Sequence, residues 1–224
     1  MSFTIAFAVD RCTDYWSSIA TWHNSNQQVR CTFARQAIPM TWDYIEANPF
    51  SNSSGGWISL YHSTIESLQN LSCSSKGIVT QIDAATSDIY RESIVVSTDP
   101  PYYDNIGYAD LSDFFYVWLR RSLSSIYPEL FSTLLVPKEP ELVATPYRFG
   151  GSKQKAKEFF ENGLNKAFIR MRKMASGKYP LTIYYAFKQT ETETNNDNGN
   201  STIASTGWET MLEGLIQAGF SITT

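Results

Sequence analysis

The sequence predicts an α/β domain with a mostly parallel sheet flanked by helices, and three observations carry this prediction. Residues 77–83 and 93–99 are short apolar runs rich in β-branched residues, and each run ends in an aspartate. Apolar strands without polar alternation are typical of parallel sheets covered on both faces. Residues 110–123 and 152–177 repeat apolar positions every three or four residues, as amphipathic helices do. Strands and helices that follow one another along the chain favour crossover connections.

The N-terminal third of the chain is predicted to be mainly helical and irregular. Residues 4–22 place apolar side chains at helical spacing, residues 27–50 show no regular period, and residues 59–71 again follow a helical pattern. We therefore divide the chain into an N-terminal segment, residues 1–75, and an α/β core, residues 76–224.

The helices of the core have recognisable boundaries. Asp110 is followed three residues later by a second acid, which predicts a helix N-cap, and Ser152 is predicted to cap the next helix. The remaining predicted elements are a strand at 181–187, a loop at 191–205, a helix at 208–218 and the start of a strand at 219–224.

Composition excludes several classes of protein. With 224 residues, 42% of them apolar, and a net charge of −4, the chain is typical of a folded domain and not of a disordered or collagen-like one. No apolar run is long enough to cross a bilayer, and no basic leader precedes the first apolar residues. We therefore expect a mature, cytoplasmic chain without membrane contact.

Cysteine and histidine are too few and too scattered for a metal site. The cysteines, at positions 12, 31 and 73, include no C-x-x-C pair and are expected to be reduced. The two histidines, His23 and His62, lie in no zinc-binding pattern. We expect no bound metal.

Charge is distributed unevenly along the chain. Residues 1–112 contain 5 basic and 11 acidic residues, whereas residues 148–188 contain 10 basic and 2 acidic residues. The basic stretch is either a solvated helix face or a surface that contacts phosphates. In the second interpretation Arg148, Lys153 and Lys157 are the expected DNA contacts.

The most informative segment is the turn after the second predicted strand, Thr98-Asp99-Pro100-Pro101-Tyr102. Two successive prolines give a rigid, extended turn that would hold Asp99 at the carboxyl end of the strand, where open α/β sheets bind ligands. The turn also leaves the carbonyls of Asp99 and Pro100 without helical or ladder bonds. An exocyclic amino group could donate to the carboxylate and to one carbonyl, while Tyr102 offers a face for stacking. The alternative is a turn that only ends the strand.

Asp99-Pro100-Pro101-Tyr102 resembles the D-P-P-Y motif of the DNA amino-methyltransferases. The surrounding sequence is similar to one branch of that family, the long adenine-specific DNA methylases that often carry a zinc ribbon elsewhere. Residues 99–115, 33–44 and 206–212 carry this similarity. The resemblance implies an incomplete Rossmann-like, S-adenosylmethionine-dependent methyltransferase fold. The implied reaction is methyl transfer to the amino group of an adenine flipped out of DNA.

The resemblance also implies roles for individual residues. The implied catalytic residues are Asp99, Pro100, Pro101 and Tyr102. Asp83 and Thr98 are expected to contact the cofactor, and the alternative for Asp83 is an acid that caps the following turn. The implied substrate contacts are Tyr103, Asp104 and Asn105, for which packing at a helix entry is the alternative.

One part of the implied fold has no counterpart in this sequence. The 12 glycines include no G-x-G, the pattern expected of the turn that approaches the methionine end of the cofactor. We expect the chain to be an internal part of a longer enzyme, inactive alone, with an N-terminal segment or second subunit supplying that turn. The alternative is a non-catalytic remnant or subunit that binds nucleic acid or a partner chain without methyl transfer.

Overall fold

A computed structural model of the chain describes residues 3–71, 74–86, 93–103, 106–185 and 206–223. The elements, in chain order, are α1 (Phe3–Trp16), β1 (Thr21–His23), β2 (Gln28–Arg30), α2 (Trp57–Gln69), β3 (Ser97–Thr98), α3 (Tyr108–Leu123), a 3-10 helix (Pro146–Phe149), α4 (Lys153–Met174), β4 (Thr182–Ile183) and α5 (Thr206–Gln217). β1 pairs with β2 antiparallel, and β3 pairs with β4 parallel. The described residues thus combine helices with two short two-stranded sheets, which is compatible with an α/β fold.

The chain forms two compact units, and neither is continuous in sequence. The first unit comprises Met1–Ile78 and Tyr108–Glu139, and the second comprises Val79–Gly107 and Pro140–Thr224. Packing therefore groups residues 108–139 with the N-terminal part of the chain, although a division after residue 75 would place them in the α/β core.

In the first unit, α1 packs against both α2 and α3. Its buried cluster joins Ala6 of α1 to Tyr116 and Leu123 of α3 and to Phe131 of the following loop. Phe33 adds an aromatic contact, since its ring centroid lies 5.1 Å from that of Phe115. The apolar stripe of α3 that the sequence predicts is therefore used within this unit.

In the second unit, α4 and α5 form the helical core. The fully buried side chains of Phe160 and Phe168 on α4 pack with Met211 and Leu215 of α5. The start of α4 is fixed by Ser152, whose side-chain oxygen accepts a hydrogen bond from the main-chain N–H of Lys155, as predicted.

The parallel sheet lies beside this helical core. Its register pairs Ser97 with Thr182 and Thr98 with Ile183. The N–H of Thr182 donates to the carbonyl of Val96 at 3.0 Å, and the N–H of Tyr184 donates to the carbonyl of Thr98 at 2.8 Å. Ile183 packs against the cluster formed by α4 and α5, so the core holds the carboxyl end of β3 in place.

Several predicted boundaries in the first half of the chain are wrong. The helix predicted at 4–22 ends at Trp16, and a turn then leads into β1. Residues 77–83 form no regular structure, and Val79 is 97% exposed. A short apolar run becomes a strand only when a neighbour pairs with it, and no described residue pairs with this one. The strand predicted at 93–99 is reduced to β3 and one isolated bridge at Ile94.

The helices other than α1 follow the predictions more closely. α2 and α5 match the predicted helices within two residues, whereas α3 begins at Tyr108, two residues before the predicted cap Asp110. The described residues after Gly219 contain no strand, and the loop predicted at 191–205 lies outside the described residues. Within the described part of the chain, no helix has the length and apolar character that a membrane span requires.

Candidate functional site

The site begins where β3 ends. The hydrogen bond from Tyr184 to the carbonyl of Thr98 is the last bond of the ladder, and the next residue, Asp99, is exposed. Pro100 is buried and has no N–H to donate, so the chain leaves the sheet at this point. No described residue donates a hydrogen bond to the carbonyls of Asp99 or Pro100. The exposed carboxylate of Asp99 therefore directly follows the carboxyl end of a parallel strand.

Tyr102 is bonded to the same carboxylate. Its hydroxyl donates to Oδ1 of Asp99 at 3.1 Å. This contact was not part of the sequence analysis, which gave Tyr102 only a stacking role. The hydroxyl occupies Oδ1, and no described residue forms a hydrogen bond with Oδ2 of Asp99.

The ring of Tyr102 packs against other aromatic side chains. The ring of Tyr185 meets the ring of Tyr102 edge-to-face, with centroids 5.2 Å apart and planes at 88°. Tyr185 also lies 6.1 Å from Trp208 of α5, and its hydroxyl donates to the carbonyl of Gly207 at 3.4 Å. Sequence reasoning missed Tyr185 as a site residue. Tyr185 lies within the strand predicted at 181–187, and only the parallel register with β3, which the sequence does not state, brings it to the turn.

The side chain of Tyr103 packs against the core formed by α4 and α5. Its ring contacts Phe160 edge-to-face at 5.2 Å, and its carbonyl accepts a hydrogen bond from the N–H of Ala144 at 2.8 Å. These contacts give Tyr103 the packing role that was the alternative to substrate contact. The other two implied substrate contacts, Asp104 and Asn105, lie outside the described residues.

Asp83 caps its own turn. One carboxylate oxygen accepts from the N–H of Ala85 at 2.8 Å, and the other accepts from the hydroxyl of Thr86 at 2.7 Å. These bonds, led by that of Thr86, lower the pKa of Asp83, with smaller contributions from the positive charges of Arg170 and Lys166. Both oxygens accept bonds within the turn, as expected of an acid that caps it, and the contact of Asp83 with the cofactor stays a prediction. Thr98, the second implied cofactor contact, contributes its carbonyl to the sheet.

The three residues predicted to contact phosphates differ in their exposure and in their ion pairs. The guanidinium of Arg148 forms an ion pair of 2.7 Å with Glu141, and both side chains are largely buried. Lys157 lies 3.6 Å from Glu161, one helical turn further along α4. Lys153 is exposed at the first position of α4. Lys153 and Lys157 are thus accessible from solvent, whereas Arg148 forms an ion pair with Glu141 of the same chain.

A cavity of about 180 Å³ lies elsewhere in the second unit, between α4 and α5. Its lining residues are Glu161, Asn162, Leu164, Asn165, Thr210, Glu213, Gly214 and Gln217. None of them belongs to the Asp99 turn, which opens directly to solvent. The described residues contain no group of three or more acidic, histidine or cysteine side chains that could hold a metal ion.

Comparison of the chain with protein-family models, with curated proteins and with solved structures found no match. The resemblance based on D-P-P-Y therefore remains a prediction. Any functional conclusion depends on the geometry of the turn and its surroundings.

Proposed function

We propose that this chain is the catalytic-motif portion of an S-adenosylmethionine-dependent DNA methyltransferase that acts on the exocyclic amino group of adenine. The observation that carries the proposal is the exposed Asp99 carboxylate at the carboxyl end of a parallel strand, next to two carbonyls that accept no main-chain hydrogen bond from the described residues. Ligands of open α/β sheets bind at this edge. The proposal includes an incomplete Rossmann-like arrangement and a further segment or subunit that carries the glycine-rich cofactor turn.

In the proposed reaction the chain orients the amino group. An adenine amino nitrogen carries two hydrogens and a lone pair delocalised into the ring. Oδ2 of Asp99 would accept one hydrogen and the carbonyl of Pro100 the other, while Tyr102 lies under the base. Fixing a nucleophile in this way can contribute up to about 7–11 kcal/mol to a bimolecular reaction. S-adenosylmethionine would supply the methyl group, and no residue described here is assigned to bind it.

The first experiment measures recognition of the amino group. Two duplexes with an unpaired target, one adenine and one purine lacking the amino group, are compared by fluorescence anisotropy. A hydrogen bond to a charged group contributes about 1.5–3 kcal/mol, so we expect adenine to bind about tenfold more tightly or better. Asp99→Ala should remove the preference and leave the purine affinity unchanged. Asp83→Ala is the matched control, because Asp83 is also exposed but caps a turn. Equal affinity of the unaltered chain for both duplexes would contradict the proposal.

The second experiment tests the DNA-binding surface. If Lys153 and Lys157 contact phosphates, changing both to alanine should reduce the slope of log Kd against log salt by about 2, since each phosphate contact contributes about 0.9. The control is Lys178→Ala, which removes an exposed charge beyond the end of α4. An unchanged slope would make this surface a solvated helix face.

A second candidate function is a module that binds nucleic acid or a partner chain without methyl transfer. The observation that favours it is Asp83, whose two carboxylate oxygens already accept hydrogen bonds from Ala85 and Thr86, as in an acid that caps its own turn. The two candidates are distinguished by a transfer assay with DNA and S-adenosylmethionine labelled in the methyl group. One preparation contains the chain alone, and the other contains the chain extended by the polypeptide that the adjoining coding sequence encodes. Label in DNA that depends on Asp99 supports the enzyme. DNA binding without label in both preparations supports the module.

A further inference from the structure

We infer that Tyr185 is a positioning residue for the Asp99 site, because it fixes the ring of Tyr102 in the orientation that lets the Tyr102 hydroxyl reach Asp99. The inference deepens the proposed function and rests on it for the identity of the bound base. The contacts of Tyr102 with Tyr185 and with Asp99 are observed in the structure and do not depend on the proposed function.

The sheet register places Tyr185 beside the turn. Thr98 and Ile183 are paired in the parallel register, and the N–H of Tyr184 bonds to the carbonyl of Thr98. Continued beyond the strands, this register places Tyr184 opposite Asp99 and Tyr185 opposite Pro100, so Tyr185 lies beside the turn. Any protein that pairs these strands in this register brings Tyr185 to the diproline turn.

Contact between the rings restricts Tyr102. The 88° angle and the 5.2 Å centroid distance are typical of an edge-to-face pair. Rotation of Tyr102 about its Cα–Cβ bond would break this contact and also the 3.1 Å bond from its hydroxyl to Oδ1 of Asp99. One ring orientation thus satisfies both contacts, and it sets which carboxylate oxygen remains for the base.

Tyr185 also contacts the start of α5. Its hydroxyl donates to the carbonyl of Gly207, and Trp208 lies beside its ring. Gly207 has almost no space for a side chain, since an added Cβ would lie 3.2 Å from Cβ of Tyr103 and 3.3 Å from the hydroxyl oxygen of Tyr185. A side chain at position 207 would therefore require Tyr103 or Tyr185 to move by a few tenths of an ångström.

The experiment uses the full chain labelled with 3-fluorotyrosine, and the Tyr102 fluorine signal is identified by its loss in Tyr102→Phe. Tyr185→Leu should shift this signal, because the neighbouring ring current disappears. Tyr185→Phe should leave it close to its original position, because the ring is kept. Tyr179→Leu is the control, since Tyr179 is 63% exposed in the same unit. A Tyr102 signal that does not move in Tyr185→Leu overturns the inference.

The functional measurement uses the adenine and purine duplexes. We expect Tyr185→Leu to reduce the preference for adenine at least fivefold while purine affinity is unchanged, and Tyr185→Phe to restore the preference to within about twofold. If Tyr185→Leu keeps the preference although the Tyr102 signal has shifted, Tyr185 does not position the site. If the unaltered chain has no preference, the proposed function fails, and the fluorine signal alone decides whether Tyr185 orients Tyr102.

A second variant covers the case in which Tyr185→Leu does not fold. Gly207→Ala should displace Tyr185 and shift the Tyr102 signal in the same direction. Gly177→Ala is its control, because a Cβ at Gly177 meets no atom within 4 Å. A shift in both glycine variants, or in neither, counts against a specific path from Gly207 through Tyr185 to Tyr102.

Discussion

Replacing Asp10 with asparagine should stabilise the protein at pH 8 and have almost no effect at pH 4. Asp10 lies on α1 with its carboxylate half-buried, and Oδ1 is shielded from solvent without a hydrogen-bond partner among the described residues. Burial disfavours the charged form and raises the pKa of Asp10 from 3.8 to about 7. The charged carboxylate is therefore a destabilising group that the neutral amide of asparagine lacks.

The sign and size of the effect follow from proton linkage. The folded protein holds the Asp10 proton to a higher pH than the unfolded chain does, so stability falls as pH rises from about 4 to about 7. One pKa unit corresponds to about 1.4 kcal/mol, which gives an upper limit of about 4 kcal/mol above pH 7. The carboxylate is partly hydrated in the folded state, and hydration reduces this limit. We expect Asp10→Asn to gain about 1–2 kcal/mol at pH 8.

Urea unfolding at pH 4, 6 and 8, followed by tryptophan fluorescence, measures the effect. The difference in unfolding free energy between Asp10→Asn and the unaltered chain should grow with pH and level off above pH 7. Asp43→Asn is the control, because Asp43 is exposed and its removal should change stability little at any pH. A difference that is the same at pH 4 and pH 8 would show that the buried charge of Asp10 is not its cause.

Three further predictions concern stability and reactivity. Ser152→Ala should destabilise the protein by about 1 kcal/mol in urea unfolding, because the N–H of Lys155 loses its capping acceptor, and Ser152→Gly should cost less. Phe160→Ala should cost about 3–5 kcal/mol, since the fully buried ring contacts Tyr103 and the core; a cost below 1 kcal/mol would contradict that packing. Burial raises the pKa of Cys12 to about 11, so iodoacetamide at pH 8 should modify Cys12 only after unfolding, and rapid labelling of the folded chain would disprove its burial.

Local sequence signals predicted the helices better than the sheet. A helix is stabilised by bonds and caps within one segment, so the apolar spacing of α4 and the cap at Ser152 were sufficient to locate it. A strand requires a partner distant in sequence, and the sequence does not state whether one is present. Residues 77–83 and 93–99 have similar apolar patterns, yet only the second finds a neighbour in β4. The N-terminal helix ends earlier than predicted, at Trp16. Thr32, which follows β2, donates a hydrogen bond to the carbonyl of Asp14 near this end, and a contact between residues so distant in sequence is a tertiary property.

The candidate site was predictable where backbone chemistry alone determines it. Proline lacks an N–H, so the strand was expected to end with Asp99 at its carboxyl end, and Asp99 directly follows β3 in the structure. The roles of Tyr103 and Asp83 depend on what surrounds them, namely Phe160 for the first and the Thr86 hydroxyl for the second. Tyr185 could be connected to Asp99 only through the register of β4, which is a tertiary property.

The order of the strands along the chain affects how the protein forms during synthesis. β3 leaves the ribosome before α3 and α4, whereas its partner β4 and the glycine at the start of α5 come much later. Pairing β3 with β4 closes a long loop, and contacts of this kind form slowly. The turn after β3 therefore acquires its shape only after β4 and the start of α5 have been synthesised. A chain truncated before Trp208 would contain the D-P-P-Y sequence but lack the α5 side chain that packs beside Tyr185.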